Sequence, residues 1–414
     1  MLSFVKHYQQ LEKHIVQFIV AEFFLQLINS AFMAIMLIFM EKVGYKDHES
    51  ASFVSFRFLG VLLFAFPLGL FIKGRRLKPI FYISSFFTPL LALLIVYAIA
   101  NQYSAMLYVV LFLWGISFIG IQISAIPYIL RNAKKSTHTA AITLSYSTWS
   151  LANIFSGALI FGLKNIHPEL FDEELILQII CLLGFVGTYF VFKIKFSENI
   201  PELTKKRTNL GEFDWWIILK ALMPTIVIAV GAGLTIPFIG LFFYKIHHLD
   251  SDDFAILSAF ATLVVFVVVL YVPIIKDKLG YKLAVPLTQS IAILALVVLA
   301  LTEIMTFEFA ALIAMAAYVL RQPLMNMAAP MTSDIVMNYV GERNREMMSA
   351  LTSAVWSGSW FISSIIFQVL RQLGLQYVYV FLITSALYAF GVFMYYLLIL
   401  DYERKIKQGI IVLD

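Results

Sequence analysis

One cysteine stands in 414 residues, and Cys181 lies inside a long apolar run, so neither a disulfide framework nor a thiolate metal site is open to this chain. Charge is nearly as scarce. Only 13% of the residues are charged, against about a quarter in ordinary soluble domains, while 61% are hydrophobic and the mean hydropathy is +0.88. That balance excludes a soluble globular protein. No G-x-x-x-x-G-K-[ST] loop is present, which removes ATP as an energy source, and neither zinc-ligand spacing nor a nucleophile elbow occurs. All seven histidines fall in predicted loops or at helix ends, away from any carboxylate partner within an apolar run. An enzyme, a cofactor and a bound metal are therefore not expected. The first fourteen residues are polar and amphipathic and lead into an apolar block too long for a signal peptide, so no cleaved leader is expected.

Long hydrophobic runs are what the chain has in abundance. Twelve of them, at 15–40, 50–72, 79–100, 105–130, 139–163, 174–195, 215–245, 253–275, 283–302, 307–337, 347–370 and 376–400, fill it almost end to end. Crossing ~30 Å of hydrocarbon takes about 20 residues at 1.5 Å rise each, so every block predicts a membrane-spanning helix. The second six echo the first. Leu144-Ser-Tyr-Ser-Thr-Trp149-Ser150 matches Leu351-Thr-Ser-Ala-Val-Trp356-Ser357 at an offset of 207. Pro67 followed by Gly74-Arg75-Arg76 matches Pro273 followed by Gly280-Tyr281-Lys282 at an offset of 206. Two unrelated motifs sharing nearly one offset predict a duplicated six-helix unit. Such a duplication predicts two halves that rock against each other around a central site.

The basic residues set an orientation. With the N-terminus inside, 22 of the 30 lysines and arginines fall on inner segments and five (Lys42, Lys46, Lys164, Lys245 and Arg371) on outer ones. The positive-inside rule then predicts a cytoplasmic (inner) membrane protein with both termini in the cytoplasm. The outer loops are acidic instead, with Glu169, Asp172, Glu173 and Glu174 in one and Asp250, Asp252 and Asp253 in another. The net charge of +5 thus reports topology and lipid headgroup contact, and a nucleic-acid partner is not expected. The polar interval 196–214 reads as a cytoplasmic linker between an N-terminal bundle (1–195) and a C-terminal bundle (215–414), with Trp215 and Trp216 at the membrane interface.

A short basic turn follows the second span of each half. The second copy reads Pro273-x-x-x-Asp277-Lys278-Leu279-Gly280-Tyr281-Lys282. The first keeps Gly74-Arg75-Arg76 but has Pro67 and Phe71 where an opening glycine and an aspartate would stand. In these turns, in the six-plus-six arrangement and in the central linker, the chain resembles the major facilitator superfamily, whose turn is similar to G-x-x-x-D-R/K-x-G-R/K-R/K. The resemblance covers essentially the whole chain. It implies an all-α membrane protein with 12 transmembrane helices in two pseudo-symmetric six-helix bundles, working as a monomer by alternating access. It also implies that spans one, four, seven and ten line a central cavity. Gly74, Arg75, Arg76, Asp277, Lys278, Gly280 and Lys282 become gating candidates, with Asp277 supplying a latch carboxylate that Phe71 cannot. The G-x-x-x-G-P motif of drug/proton antiporters is not evident in span five, where Asn153 to Gly162 contains no proline.

Ionisable groups inside a span are expensive, so each is a candidate for function. Glu22, Gln26 and Asn29 stand at i, i+4 and i+7 and share one helical face. Glu22 is either a proton-titrating carboxylate or one bonded to a neighbouring helix. Arg321 lies about 20 Å inward from Glu308 and needs an acidic partner such as Glu22 or Asp334, carbonyls freed by Pro323 and Pro330, or an anionic ligand. Gln322 and Asn326 accompany it. Arg57, in span two, is a gate residue, a cavity residue or a helix-pairing charge. Lys220 can snorkel to the surface, and Asp334 can pair with Arg131, Arg343 or Arg345 at a cytoplasmic gate. In span seven Gly231, Gly233, Pro237 and Gly240 suit bending or close packing equally. Tyr146, Trp149 and Asn153 in span five and Trp356 with Trp360 in span eleven form matched sets, which either line a cavity for a ring-bearing solute or share one structural role. Trp114 and Gln122 are further candidates in span four.

The expected function is a secondary active transporter of a small organic solute, anionic or amphipathic, coupled to protons through Glu22. The alternatives are an efflux pump for amphipathic compounds, a flippase-type carrier of lipids or lysolipids, and a non-transporting membrane receptor, for which the polar stripe would have no use.

Overall fold

The computed structural model describes residues 11–72, 75–134, 137–195, 197–198, 213–269, 271–306 and 308–408, and among these every regular element is helical. Hydrocarbon offers the backbone no hydrogen-bond partner, so an apolar run that crosses it must satisfy its own N–H and C=O groups. Twelve helical rods result. The first is α1 (Lys13–Ala31), a π-helical turn (Phe32–Met36) and α2 (Leu37–Val43). Five more follow: α3 (Asp47–Phe71), α4 (Lys78–Ala100), α5 (Ser104–Asn132), α6 (His138–Ile166) and α7 (Glu173–Phe192). The seventh is α8 (Trp215–Thr235), a 3₁₀ turn (Ile236–Phe238) and α9 (Ile239–His247). Then come α10 (Ser251–Val269), α11 (Val272–Leu301), α12 (Ala310–Val340), α13 (Glu342–Gln372) and α14 (Tyr377–Lys407). Among the described residues, ten rods are long and apolar enough to cross a membrane. The other two, α6 and α12, carry the polar candidates Asn153, Arg321, Gln322, Asn326 and Asp334.

The chain forms two compact units. One comprises Met1–Lys206 and Leu249–Ala259, the other Arg207–His248 and Phe260–Asp414. The first turns of α10 therefore group with the first unit, although they come from the second half of the sequence. In the first unit α1 packs on α6 and α7, while α4 packs on α5 and α7; in the second, α8 packs on α13 and α14, while α11 packs on α12 and α14. These four pairings join corresponding rods, so the duplication extends from motif to packing. It extends to the helix starts as well. The Glu12 carboxylate, just before α1, accepts from the Lys134 N–H at 3.0 Å and from Thr137 Oγ1 at 3.1 Å. The Asp214 N–H, just before α8, donates to Asn344 Oδ1 at 3.1 Å. Thr137 and Asn344 are again 207 residues apart.

The sequence places the start of span nine at 283, but α11 begins at Val272 and bends at Gly280, where φ is 63° and ψ 171°. Only the backbone demands glycine there, since no atom lies within 4 Å of a built Cβ. Gly74 and most of the linker 196–214 lie outside the described residues, as does the side chain of Asp277.

Where α3 meets α5, glycine is demanded by space instead. A Cβ on Gly60 would stand 2.3 Å from the Phe112 carbonyl oxygen, and one on Gly115 would stand 2.2 Å from that of Arg57. Backbone therefore rests on backbone, the usual means of tight association between membrane helices. Gly115→Ala should separate the pair and cost about 1–3 kcal/mol, read as a lower thermal unfolding temperature in detergent. Gly162→Ala in α6, with open space at its Cβ, should hold or raise that temperature by removing a flexible residue from a helix. An equal fall in both would refute the packing account.

Candidate substrate and coupling site

The first rod buries Glu22, Gln26 and Asn29 as one polar stripe, each 5–7% exposed. Across the α1–α6 contact the Ser145 hydroxyl donates to Glu22 Oε2 at 2.6 Å. No ion pair found among the described residues involves Glu22. Ser145 belongs to the duplicated Leu144–Ser150 motif, so the repeat itself pointed to it. Farther along the stripe Asn29 Nδ2 reaches Gln26 Oε1 at 3.5 Å, and Asn29 Oδ1 accepts a short hydrogen bond from Arg57 of α3. Arg57 Nη1 points at Met33 Sδ, 3.4 Å away. Its guanidinium carbon lies 4.3 Å from the centre of the Trp114 indole and 5.5 Å from that of the Phe58 ring. Gln26, Asn29, Arg57 and Trp114 thus come together from three helices. Met33 sits within the π-helical turn, a feature that recurs at functional positions because it opens the regular hydrogen-bond ladder.

In the second unit Arg321 is 1% exposed. It meets neither of its expected acidic partners. Its Nη2 donates to Tyr388 Oη at 3.2 Å, its guanidinium lies 5.8 Å from that ring, and its Nε has no partner. A Cβ on Gly231 of α8 would come 3.0 Å from Tyr388 Cε1, so close packing is what this glycine supplies. Glu22 is taken by Ser145. Asp334 sits about 20 Å down α12, where Lys276 reaches it at 3.0 Å and Asn338 at 2.9 Å, with a short bond from Tyr281. Lys276 and Tyr281 replace the arginines expected around Asp334. The side chains of Arg343 and Arg345 lie outside the described residues. Gln322 and Asn326 are half-buried, and Asn326 Nδ2 donates to the Gln322 carbonyl at 2.8 Å.

The aromatic sets divide between surface and interior, with Trp360 half-buried. Tyr146 is 71% exposed, Trp149 and Trp356 are exposed too, as is Gln122, and Asn153 is half-buried. At the first basic turn, Arg75 stacks 4.1 Å from the Phe71 ring centre. Arg131 of α5 donates to the carbonyls of Ile72 and Arg75 at 3.2 and 3.0 Å. An arginine capping the end of α3 thus holds the turn in which the aspartate is missing. Arg76, Lys278 and Lys282 are exposed. Lys220, expected to snorkel, is paired with Asp401 at 2.6 Å.

At the far end of the first unit, the acidic outer loops form a compact ion cluster that the sequence reading assigned only to topology. Lys42 Nζ lies 2.8 Å from Glu173 and 2.6 Å from Asp250. Lys164 Nζ lies 2.7 Å from each of them, and 2.8 Å from Ser251 Oγ. The cluster ties α2, α6 and α7 to the start of α10. Burial alone would raise the Asp250 carboxyl, but hydrogen bonds from Lys164 and Lys42 outweigh it and hold the group at about 2, below its ordinary 3.8. A lowered carboxyl pKa stabilises the fold above the unfolded value and loses that contribution as pH falls through the folded one. Lys164→Met leaves Glu173 short of a counter-charge and should cost about 3 kcal/mol at neutral pH. The stability gap to wild type should stay constant down to about pH 5 and narrow as pH falls below the ordinary carboxyl values of 4.5 for Glu173 and 3.8 for Asp250 toward 2, measured by thermal unfolding at successive pH values. A gap that widens on acidification would contradict this sign.

A comparison with protein families matches residues 18–364 to the Major Facilitator Superfamily. Among solved structures the chain is similar to a point mutant of the nucleoside transporter NupG, with a TM-score of 0.73 at 12% identity over 93% of this chain and 100% of that one. It is similar to a bacterial homologue of the iron transporter ferroportin in an inward-facing state, with a TM-score of 0.71 at 13% identity over 92% and 98%. A D-xylose-proton symporter gives 0.71 at 10% identity over 92% and 95%. Identities this low speak for the fold alone. A comparison with curated protein sequences finds no match. With twelve helical rods in two repeated units and a family match over most of its length, the chain belongs to the Major Facilitator Superfamily and is an integral membrane secondary transporter.

Proposed function

We propose that this transporter moves a small organic solute in step with protons, and that Glu22 is the group that carries the proton. One observation supports the reading above the others: a carboxyl group 6% exposed within a membrane-spanning rod, with a serine hydroxyl as its hydrogen-bond partner and no ion pair among the described residues. A carboxylate paired with a lysine is biased toward its charged form. One held by a hydroxyl changes the charge of its surroundings by a full unit whenever it gains or loses a proton, and that change is what couples a gradient to a conformational equilibrium. The Glu22–Ser145 bond also spans the α1–α6 contact, so protonation alters a helix–helix contact directly. Basic residues weighted to one side support a cytoplasmic location for both termini, and the two sequence halves supply the two moving parts.

Proteoliposomes carrying an internal pH-sensitive dye test the reading against a panel of metabolites, amphipathic drugs and lysolipids. Compound-dependent proton movement is expected for the wild type and should vanish in Glu22→Gln. Ser145→Ala removes a hydrogen bond to a charged group, worth about 1.5 kcal/mol, and should slow that movement about tenfold. Solute movement that persists unchanged in Glu22→Gln, without proton flux, would leave a uniporter or a lipid carrier instead.

A further inference from the structure

Arg57 is a buried cation whose neighbours support it without neutralising it. It is 7% exposed within a membrane-spanning helix, and none of the ion pairs found among the described residues involves it. A guanidinium has five N–H donors. Asn29 takes one as a full-strength acceptor, and the Met33 thioether takes another as a weak one. The remaining support comes from ring faces, Trp114 at 4.3 Å and Phe58 at 5.5 Å. Ring faces attract the cation through their quadrupoles and leave its net charge intact.

The surroundings are constructed for this arrangement. Gly115 and Gly60 bring α5 against α3 at the level of Arg57, which sets Trp114, the residue before Gly115, against the guanidinium. The same indole is fully buried, and its Nε1 donor has no hydrogen-bond partner. A π-helical turn carries Met33, four residues beyond Asn29. The acid of the same stripe, Glu22, stands seven residues or about 10 Å from Asn29 along the helix and is engaged by Ser145. A helix-pairing arginine at this depth would be satisfied by a carboxylate, because burying an unpaired charge costs several kcal/mol. Asparagine at position 29, where aspartate would fit, keeps the charge available.

We infer that Arg57, cradled by Asn29, Met33 and Trp114, is the recognition point for an oxyanion, a carboxylate or phosphoryl group, on the transported solute. This rests on the reading that the chain carries a small organic solute. A planar guanidinium with free donors takes such a group through two parallel hydrogen bonds, and neutralisation of the buried charge supplies the gain on binding.

The test uses the purified full chain in detergent with no gradient, read by thermal shift. The probes are benzoate against benzamide, glycerol 3-phosphate against glycerol, and lysophosphatidate against monoacylglycerol; they separate a carboxylate, a free phosphate ester and a lipid headgroup. At least one anion is expected to stabilise the wild type while its uncharged counterpart does not. Arg57→Gln should weaken that binding about thirtyfold, as truncating a buried charge partner does, and Arg57→Lys should retain part of it. Asn29→Asp provides a second variant that does not depend on Arg57→Gln folding. It sets an internal carboxylate on the guanidinium, so it should raise the unfolding temperature and abolish the anion-dependent shift together. Shifts from none of the anions, equal shifts from the neutral compounds, or anion shifts that survive both Arg57→Gln and Asn29→Asp would overturn the inference. Anion-dependent shifts that require Arg57, alongside proton movement that persists in Glu22→Gln, would fail the coupling reading alone. Proton movement lost in Glu22→Gln with no anion-dependent shift in the wild type would fail the Arg57 reading alone.

Discussion

A membrane-spanning bundle cannot hide a polar group in solvent, and this constraint governs the charged side chains buried among the described residues. Several obey it in pairs. Lys220 meets Asp401, Lys276 meets Asp334, and Lys42 and Lys164 share Glu173 and Asp250. Three groups obey it differently: Glu22 through a serine hydroxyl, Arg57 through an asparagine and an indole face, and Arg321 through a tyrosine. The paired charges lie at helix ends and in loops, whereas these three lie within the rods. A protein concerned only with holding its helices together would gain most by pairing the deepest charges first.

Duplication explains how two units of one design acquire different interiors. The four shared helix pairings and the helix starts docked at Thr137 and Asn344 form the common frame. Both first rods are interrupted near their middles, by a π turn at Phe32–Met36 in one and a 3₁₀ turn at Ile236–Phe238 in the other. Inside that frame the residues diverge. Adding the repeat offset of 207 to Trp114 gives Arg321, so one fourth rod presents an indole where its counterpart presents a cation. Each compensates locally: Trp114 supports Arg57 from α3, and Arg321 is supported by Tyr388 from α14.

Features with a local cause could be read from the sequence. The rods follow from apolar runs, the bend at Gly280 from a turn that needs positive φ, and the Glu22–Gln26–Asn29 stripe from helical periodicity. Features that depend on long-range contact could not. Lys42 and Asp250 are 208 residues apart, and Arg321 and Tyr388 are 67 apart. No periodicity links such positions. Composition did mark the ion cluster indirectly, since Lys42 and Lys164 are two of the few basic residues among acidic outer loops. The Arg131 cap was hidden differently, because it replaces a side-chain latch with bonds to backbone carbonyls that any sequence possesses.

The manner in which Arg57 is held bears on how a carrier can bind and still release. An arginine locked to a carboxylate is already neutral, and a solute must break that pair before it gains anything. An arginine left bare would cost the fold too much to survive. Ring faces and a neutral amide lie between these limits, because they lower the cost of burial while leaving the charge to be neutralised by whatever arrives. The same reasoning applies to a carboxyl group held by a hydroxyl, which is stable enough to fold around yet remains able to exchange its proton. Partial satisfaction of a few deep charges is thus what a stable membrane bundle gives up in order to carry something across.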